Sequence, residues 1–427
     1  MKVLIISGTP FRNDTNTGKT LMTLFADLNS DEMLQLYFSP ETPNVDRCGS
    51  YYRICEKEIV KSVLGIRKNI CGGTVLPVKE GANANKPETN VRFITKYKTN
   101  ISVRCAREAL WKYSLWENDN LGKWIADEKP DVIFAVMLDT NISAKIIRKM
   151  SDKTGCPVVL FVTDDYYNDC EKSNSFIRKS YYKKRRKLYS KLSANINTLV
   201  GCSSKATEYF SKEFNIPDAE TIYTPSADSC FEMPYREQSN NDIVKIRYFG
   251  NLGLGRWEIL KQLGETVRQI NSNGVKAILE VYSSVTDSEI INALSIENGC
   301  VYKGWVYGDE YLKLLQSADI AVHVESFDDA MIRRTWASIS TKIADYLGAG
   351  KCILAIGSKD LASMEHIKDV SCAVNDMGLL RKKLESLIDD SGIRTELQYR
   401  ARKLAEKEHN MSSIKAHMRK ILEDAVK

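Results

Sequence analysis

The sequence predicts an α/β protein of two domains. Three observations predict it. The chain is 427 residues long, enough for two domains with a core each. Short unbroken apolar runs recur along it, at Val3 to Ser7, Val132 to Met137, Val158 to Val162 and Cys352 to Ile356. Each has the length of a parallel strand buried on both faces. Other segments carry helical periodicity, as at Lys261 to Asn271 and Leu379 to Ile388.

Val3 to Ser7 reads as the first strand, followed by a loop to Asn16 and a helix from about Thr17. Gly18-Lys19-Thr20 looks like the end of a phosphate-binding P-loop, but that motif needs a glycine where Asn13 stands. Thr17 and Gly18 therefore read as the opening of the first helix. They face either a ligand cleft between the domains or nothing in particular. Residues 78–90 read as a flexible loop, because nothing there can be buried. Val158 to Val162 runs on to Asp164 and Asp165. Either aspartate can position a hydroxyl, and either can equally cap a turn.

The stretch from Arg178 to Leu192 holds eight basic residues and no acid. Ile177, Tyr181, Leu188 and Leu192 can share one helical face. That pattern suits an anionic membrane surface, RNA, or a plain solvated helix. Net charge of +6 fits anionic partners but is modest, and no RNA-binding motif accompanies it. The polar stretch 232–242, which contains Pro234, is read as the interdomain linker. It separates an N-terminal domain, 1–235, from a C-terminal one, 242–407.

Two motifs in the second domain carry chemistry. Val244 to Arg256 reads as strand, glycine loop and helix, the helix starting at about Trp257. Gly250 and Gly253 let backbone N–H groups approach a diphosphate, and Arg256 can neutralise it. Ser340 to Ile356 reads as an amphipathic helix, a glycine turn at Gly348 and Gly350, and a buried strand. Ser340, Thr341, Lys342 and Asp345 fall in its first turns, where free N–H groups suit a phosphate. A carboxylate one turn in, Asp345, can hold the hydroxyls of a ribose or sugar. Either motif alone is ordinary loop chemistry. Together, about 90 residues apart, they favour one nucleotide-binding domain.

The pair YFGNLG…R and STKIADYLGAGKCILAIG resembles the C-terminal domain of family 4 (group 1) glycosyltransferases, which have the GT-B fold. Lys303 to Val306, Ala318 to Glu325, Lys129 to Ile133 and Gly201 to Ala206 resemble further family segments in order. The resemblance implies two Rossmann-like domains facing across a cleft, with the last helix, 408–427, packing back on the first. The chain departs from the family in two places. The acid usually found eight positions before the second one is Ala337 here, so its role is missing or passes to Glu325. The basic residue after the loop glycine is Asn251, while Arg256 matches a second basic position.

The resemblance implies a retaining, metal-independent hexosyltransferase that uses a UDP- or GDP-linked sugar and needs no cofactor. The implied catalytic residues are Arg256, Lys342, Asp345 and, on the acceptor side, Asp165. The implied substrate-binding residues are Thr17, Gly18, Gly250, Asn251, Gly253, Glu325, Ser340 and Thr341. The acceptor would be a glycan or a lipid-linked sugar in cell-surface polysaccharide synthesis, and helix 176–192 would rest on the membrane. His323, mid-strand, reads as a satisfied core residue. Two rival readings share the fold: a sugar-nucleotide 2-epimerase, and a non-catalytic partner subunit that binds nucleotide or membrane.

Composition fits a cytoplasmic protein, peripheral at most on the inner face of the plasma membrane. Eleven scattered cysteines without paired spacing indicate free thiols in a reducing compartment. No Asp-x-Asp motif and no Cys or His cluster point to a metal. No apolar run approaches the roughly 20 residues needed to cross a bilayer.

Overall fold

The computed structural model describes residues 1–13, 16–65, 71–77, 100–169, 174–238 and 243–427. The loop expected at 78–90 and the last residues of the expected linker, 239–242, lie outside the described residues. The chain divides into two units, 1–222 with 415–427, and 223–414.

The first unit contains β1 (Val3–Ser7), β2 (Met33–Tyr37), β3 (Ser50–Arg53), β4 (Gly73–Thr74), β5 (Val132–Val136), β6 (Val158–Val162), β7 (Ile196–Gly201) and β8 (Ala219–Thr221). They form one sheet in the order β4-β3-β2-β1-β5-β6-β7-β8, parallel except for the β3–β4 pair. β1, β5 and β6 are buried along their whole length, which is why their sequences are unbroken apolar runs. Its helices are α1 (Asn16–Leu24), α2 (Glu56–Val63), α3 (Ile101–Tyr113), α4 (Asp119–Glu128), α5 (Asn141–Thr154), α6 (Phe176–Leu192) and α7 (Ser204–Phe214). Thr140, Ser175 and Ser203 cap α5, α6 and α7, each accepting a backbone N–H of the first turn.

The basic helix α6 packs differently from its expected face. Tyr181, Tyr182, Arg185, Tyr189 and Leu192 are buried, whereas Ile177 is 51% exposed. Arg185 sits in the buried stripe because its charge is answered there. Its Nη1 pairs with Asp139 at 2.9 Å and donates to the Tyr166 carbonyl, and its Nε donates to Asn141 Oδ1 at 2.9 Å. Lys179, Lys183, Lys184, Arg186, Lys187 and Lys191 remain on the exposed side.

The second unit contains β9 (Val244–Phe249), β10 (Ala277–Tyr282), β11 (Cys300–Gly304), β12 (Ile320–Val324), β13 (Cys352–Ile356) and β14 (Cys372–Val374). The sheet runs β11-β10-β9-β12-β13-β14, with every pair parallel. Its helices are α8 (Asp228–Phe231), α9 (Arg256–Ile270), α10 (Ser288–Ala293), α11 (Gly308–Gln316), α12 (Asp329–Thr335), α13 (Thr341–Gly348), α14 (Ala362–His366), α15 (Leu380–Asp389) and α16 (Ser391–Glu408). The boundary of the returning chain falls inside α17 (Met411–Val426), after Ile414.

The first crossing between the units lies at 222–223, ahead of the stretch read as a linker. Residues 232–238 are polar because they are anchored, not because they are loose. Arg402 donates to the carbonyls of Phe231 and Met233 at 2.8 Å each. Arg236 pairs with Asp319 at 3.0 Å, and Arg394 Nε donates to Gln238 Oε1 at 2.6 Å. Cys230 is fully buried in the unit's core beside Tyr346 and Leu347. Of the two glycines that end α13, Gly350 takes a positive φ of 55° as expected. Gly348 is needed for space instead, since a Cβ there would overlap the Ser226 side chain.

Where the chain enters and leaves this unit, two buried imidazoles meet. His366 Nε2 and His409 Nε2 are 2.8 Å apart, and His409 Nδ1 is 2.7 Å from the Thr224 carbonyl. A carbonyl only accepts, so His409 carries its proton on Nδ1 and accepts at Nε2. His366 must then donate from Nε2, and both rings are neutral. Burial, helped by His409, lowers the pKa of His366 to about 3, and burial lowers that of His409. A depressed folded pKa means the unfolded chain takes up protons first, so stability is complete above about 6.5, the ordinary histidine value, and is lost as pH falls toward 3. The thermal midpoint should therefore fall between pH 7 and pH 5, before most carboxylates titrate. A midpoint flat over that range would contradict the neutral pair.

Candidate functional site

In the second unit the chain builds outward from the middle of its sheet. It runs from β9 to β10 and β11 on one side, then to β12, β13 and β14 on the other. The order reverses between β9 and β12, so the loops that follow these two neighbours leave in opposite directions. A crevice at the carboxyl ends of the strands results, the usual place for a ligand in such sheets.

The loop after β9 holds Gly250, Asn251 and Gly253, and the one after β12 begins at Glu325. The two loops touch. Gly255, with a φ of 75°, lies so close to Ser326 that a Cβ would come within 2.8 Å of its hydroxyl oxygen. Leu254 beside it also takes a positive φ, 59°, which costs a branched residue about 1–2 kcal/mol. Asn251 shapes the loop from within. Its Oδ1 accepts from the Gly253 N–H at 2.5 Å, and its carbonyl accepts from the Tyr248 hydroxyl at 2.7 Å.

Arg256 opens α9 and reaches across the crevice to Glu325. Its Nη2 donates to Glu325 Oε1 at 3.0 Å and to Oε2 at 2.9 Å, and its Nε lies 3.3 Å from Oε2. Nη1 makes no hydrogen bond among the described residues. The glutamate side chain is 6% exposed and the arginine 19%. Burial raises the Glu325 pKa above the usual carboxylate value, and the Arg256 guanidinium bonded to it opposes that rise. His323, two residues earlier on β12, is buried as expected but is not satisfied, since its Nε2 has no hydrogen-bond partner. It lies 3.8 Å from Glu325 Oε1, and burial, with Arg256 nearby, lowers its pKa to about 3. A neutral imidazole there leaves the arginine as the partner of Glu325.

The helix α13 brings the remaining predicted residues. Ser340 is its N-cap residue, and its side chain makes no capping hydrogen bond. Thr341 is exposed, and Ile343, Ala344, Tyr346 and Leu347 form the buried face. Lys342 and Asp345 are therefore on the half-buried side. Lys342 Nζ lies 3.3 Å from Asp345 Oδ2. A third member, without a signal in the sequence, is Tyr311 of α11, whose hydroxyl donates to the same Oδ2 at 2.8 Å. Lys342 Nζ sits 3.9 Å from the centre of the Tyr311 ring. Ala337, in the position of the absent acid, is buried.

The first unit has its own reversal of strand order, between β1 and β5. Thr17 and Gly18 follow β1 in the first turn of α1, Thr17 exposed and Gly18 buried. The loop before them is braced by Gln35, whose Oε1 accepts from the Phe11 N–H at 3.0 Å. Asp165 follows β6 and turns inward. Its Oδ1 accepts from the N–H groups of Tyr167 and Asn168 at 3.1 and 2.9 Å, and its Oδ2 from the Asn168 amide at 3.0 Å. That is the bonding of a turn aspartate. Among the described residues no group of three or more His, Cys, Asp or Glu could hold a metal ion, and no helix is long and apolar enough to cross a membrane.

Comparison with known proteins bears on this geometry. Residues 256–422 match the family model described as glycosyl transferase-like, a span that begins at Arg256 and includes Glu325 and Asp345. No curated protein sequence matches the chain. Among solved structures, an E. coli trehalose-6-phosphate protein bound with UDP-2-fluoro glucose superposes with a TM-score of 0.62 at 9% identity, over 100% of this chain and 99% of that one. The UDP-forming α,α-trehalose-phosphate synthase of Burkholderia xenovorans, in complex with glucose-6-phosphate, gives 0.59 at 9% identity over 99% and 100%. The N-terminal domain of the Candida albicans trehalose-6-phosphate phosphatase gives 0.60 at 12% identity over 99% and 96%. The chain has the GT-B fold, and its residues 256–422 are similar to glycosyl transferases. At these identities the superpositions speak for the fold, which is the two-domain α/β fold expected from the sequence.

Proposed function

We propose that the protein is a retaining glycosyltransferase that takes a sugar from a nucleotide-diphosphate donor, UDP- or GDP-linked, to a glycan or lipid-linked acceptor. The observation that carries the reading is the Arg256–Glu325 pair between the loops that follow β9 and β12, where the strand order reverses. A fork of N–H groups with Nη1 unengaged can take a phosphate oxygen without releasing Glu325. Lys342 and the opening N–H groups of α13 add positive charge for the second phosphate. Charge that develops on the leaving diphosphate is then met by fixed cations and dipoles. Asp345 takes the hydroxyls of the ribose or sugar, and Glu325 lies where a donor sugar can be touched. In a retaining transfer the departing phosphate oxygen can accept the acceptor's proton, so no separate base is required. The E. coli structure's UDP-2-fluoro glucose and the UDP-forming activity of the Burkholderia enzyme favour a UDP-linked donor.

On the first unit, Thr17 and Gly18 are proposed to contact the donor or acceptor, and Asp165 to fix the acceptor side through the loop it organises. The exposed lysines of α6, with Phe176 83% and Ile177 51% exposed at its start, suit an anionic lipid surface. The proposal places its work in the cytoplasm, on a membrane-bound acceptor in cell-surface polysaccharide synthesis.

Two experiments test these readings. In a thermal-shift panel with UDP, GDP, ADP, CDP and TDP, one nucleotide at about 100 times its dissociation constant should stabilise by ~2.7 kcal/mol. Arg256→Ala and Asp345→Ala should lose most of that shift and most of the transfer while still unfolding cooperatively. Near-normal turnover in either variant would remove that residue from the site. For the membrane, the protein should float with phosphatidylglycerol vesicles and not with phosphatidylcholine ones. Replacing Lys183, Lys184 and Lys187 by Glu should abolish flotation, and undiminished flotation would contradict the assignment of α6.

A further inference from the structure

Asp345 and Tyr311 are 34 positions apart and belong to different helices, α13 and α11, yet they share a hydrogen bond at 2.8 Å. Everything around Tyr311 holds it still. The residue is 9% exposed. Phe249, the last residue of β9, packs against its ring edge-on with centroids 5.0 Å apart. Lys342 Nζ lies over the same ring. Val306, Ile343, Tyr346 and Leu347 complete the buried cluster. The hydroxyl is a permanent donor. Burial first, then the charge of Asp345, holds the Tyr311 phenol well above its ordinary range.

The two oxygens of Asp345 are therefore not equivalent. Oδ2 accepts from Tyr311 and from Lys342. Oδ1 accepts no hydrogen bond among the described residues, and the side chain keeps 22% of its surface exposed. An aspartate with one oxygen pinned has one lone-pair edge left to offer, in a fixed direction.

We infer that Tyr311 is a positioning residue: it fixes Asp345 through Oδ2 so that Oδ1 faces the hydroxyls of the bound donor. The inference rests on the donor-site reading of Asp345. Lys342 serves two ends in this arrangement. It neutralises Oδ2, and it closes over the Tyr311 ring so that the phenol cannot turn away. Tyr311 touches no substrate; its contribution passes through the carboxylate.

The test is a double-mutant cycle read by calorimetric titration of UDP and GDP into wild type, Tyr311→Phe, Asp345→Ala and the double variant. Phenylalanine keeps the ring, its packing on Phe249 and its volume, so the fold is retained; the thermal midpoint verifies this. For the nucleotide that wild type binds, Tyr311→Phe should weaken affinity about tenfold, the usual scale of one hydrogen bond to a charged group. In the Asp345→Ala background the same change should cost nothing further, because the group it positions is gone. A structural role alone would not produce that non-additivity. Unchanged affinity in Tyr311→Phe, or an equal loss in the Asp345→Ala background, overturns the inference while leaving the donor site standing. Failure of wild type to bind either nucleotide overturns both.

Discussion

The second unit depends on one constraint, the reversal of strand order between β9 and β12. Because the chain fills one side of the sheet and then the other, the two central strands send their loops apart at the carboxyl edge. The contacts between the loops that follow these two strands depend on it. Gly255 and Ser326 approach because their loops start side by side, and Arg256 faces Glu325 for the same reason. The strained Leu254 is held by the helix start that follows it, at the place where strain tends to be kept for function.

The ion pair across this crevice is costly to assemble and therefore informative. Two opposite charges are taken largely out of water, and a pair of well-packed apolar residues would serve the core as well. Arg256 opposes the rise that burial gives the Glu325 pKa, and the neighbouring imidazole of His323 has one nitrogen unpartnered. Such an arrangement stores positive charge in a fixed direction at low net charge, which suits a site that must wait for a diphosphate. The buried arginine of the first unit, Arg185, shows the contrast. Its Nε, Nη1 and Nη2 donate to Asn141, Asp139, Tyr166 and Tyr181, so it braces the fold.

Much of the fold was legible because buried parallel strands write themselves as apolar runs. Val3–Ser7, Val158–Val162 and Cys352–Ile356 are strands over the very residues that pattern marks. The site was legible as a set of residues, through glycine-loop and helix-start chemistry, but not as a set of contacts. Arg256 and Glu325 are 69 positions apart, and no local pattern says that two opposite charges at that separation will meet. Tyr311 carried no signal at all, since one aromatic residue on a helix reads as core. The same reason hid Arg185, whose partner Asp139 is 46 positions away. The crossing between units was misplaced because polarity at 232–238 reads as solvent exposure, whereas long-range arginine contacts hold that stretch down.

We propose the reversal point of the second sheet as a donor-diphosphate site. Its most direct test is a crystal structure of the protein with UDP bound. The diphosphate should lie within hydrogen-bonding distance of Arg256 and the first turn of α13, with Asp345 Oδ1 on a nucleotide hydroxyl and Tyr311 still on Oδ2. A nucleotide bound elsewhere, or a diphosphate that leaves Arg256 untouched, would contradict it.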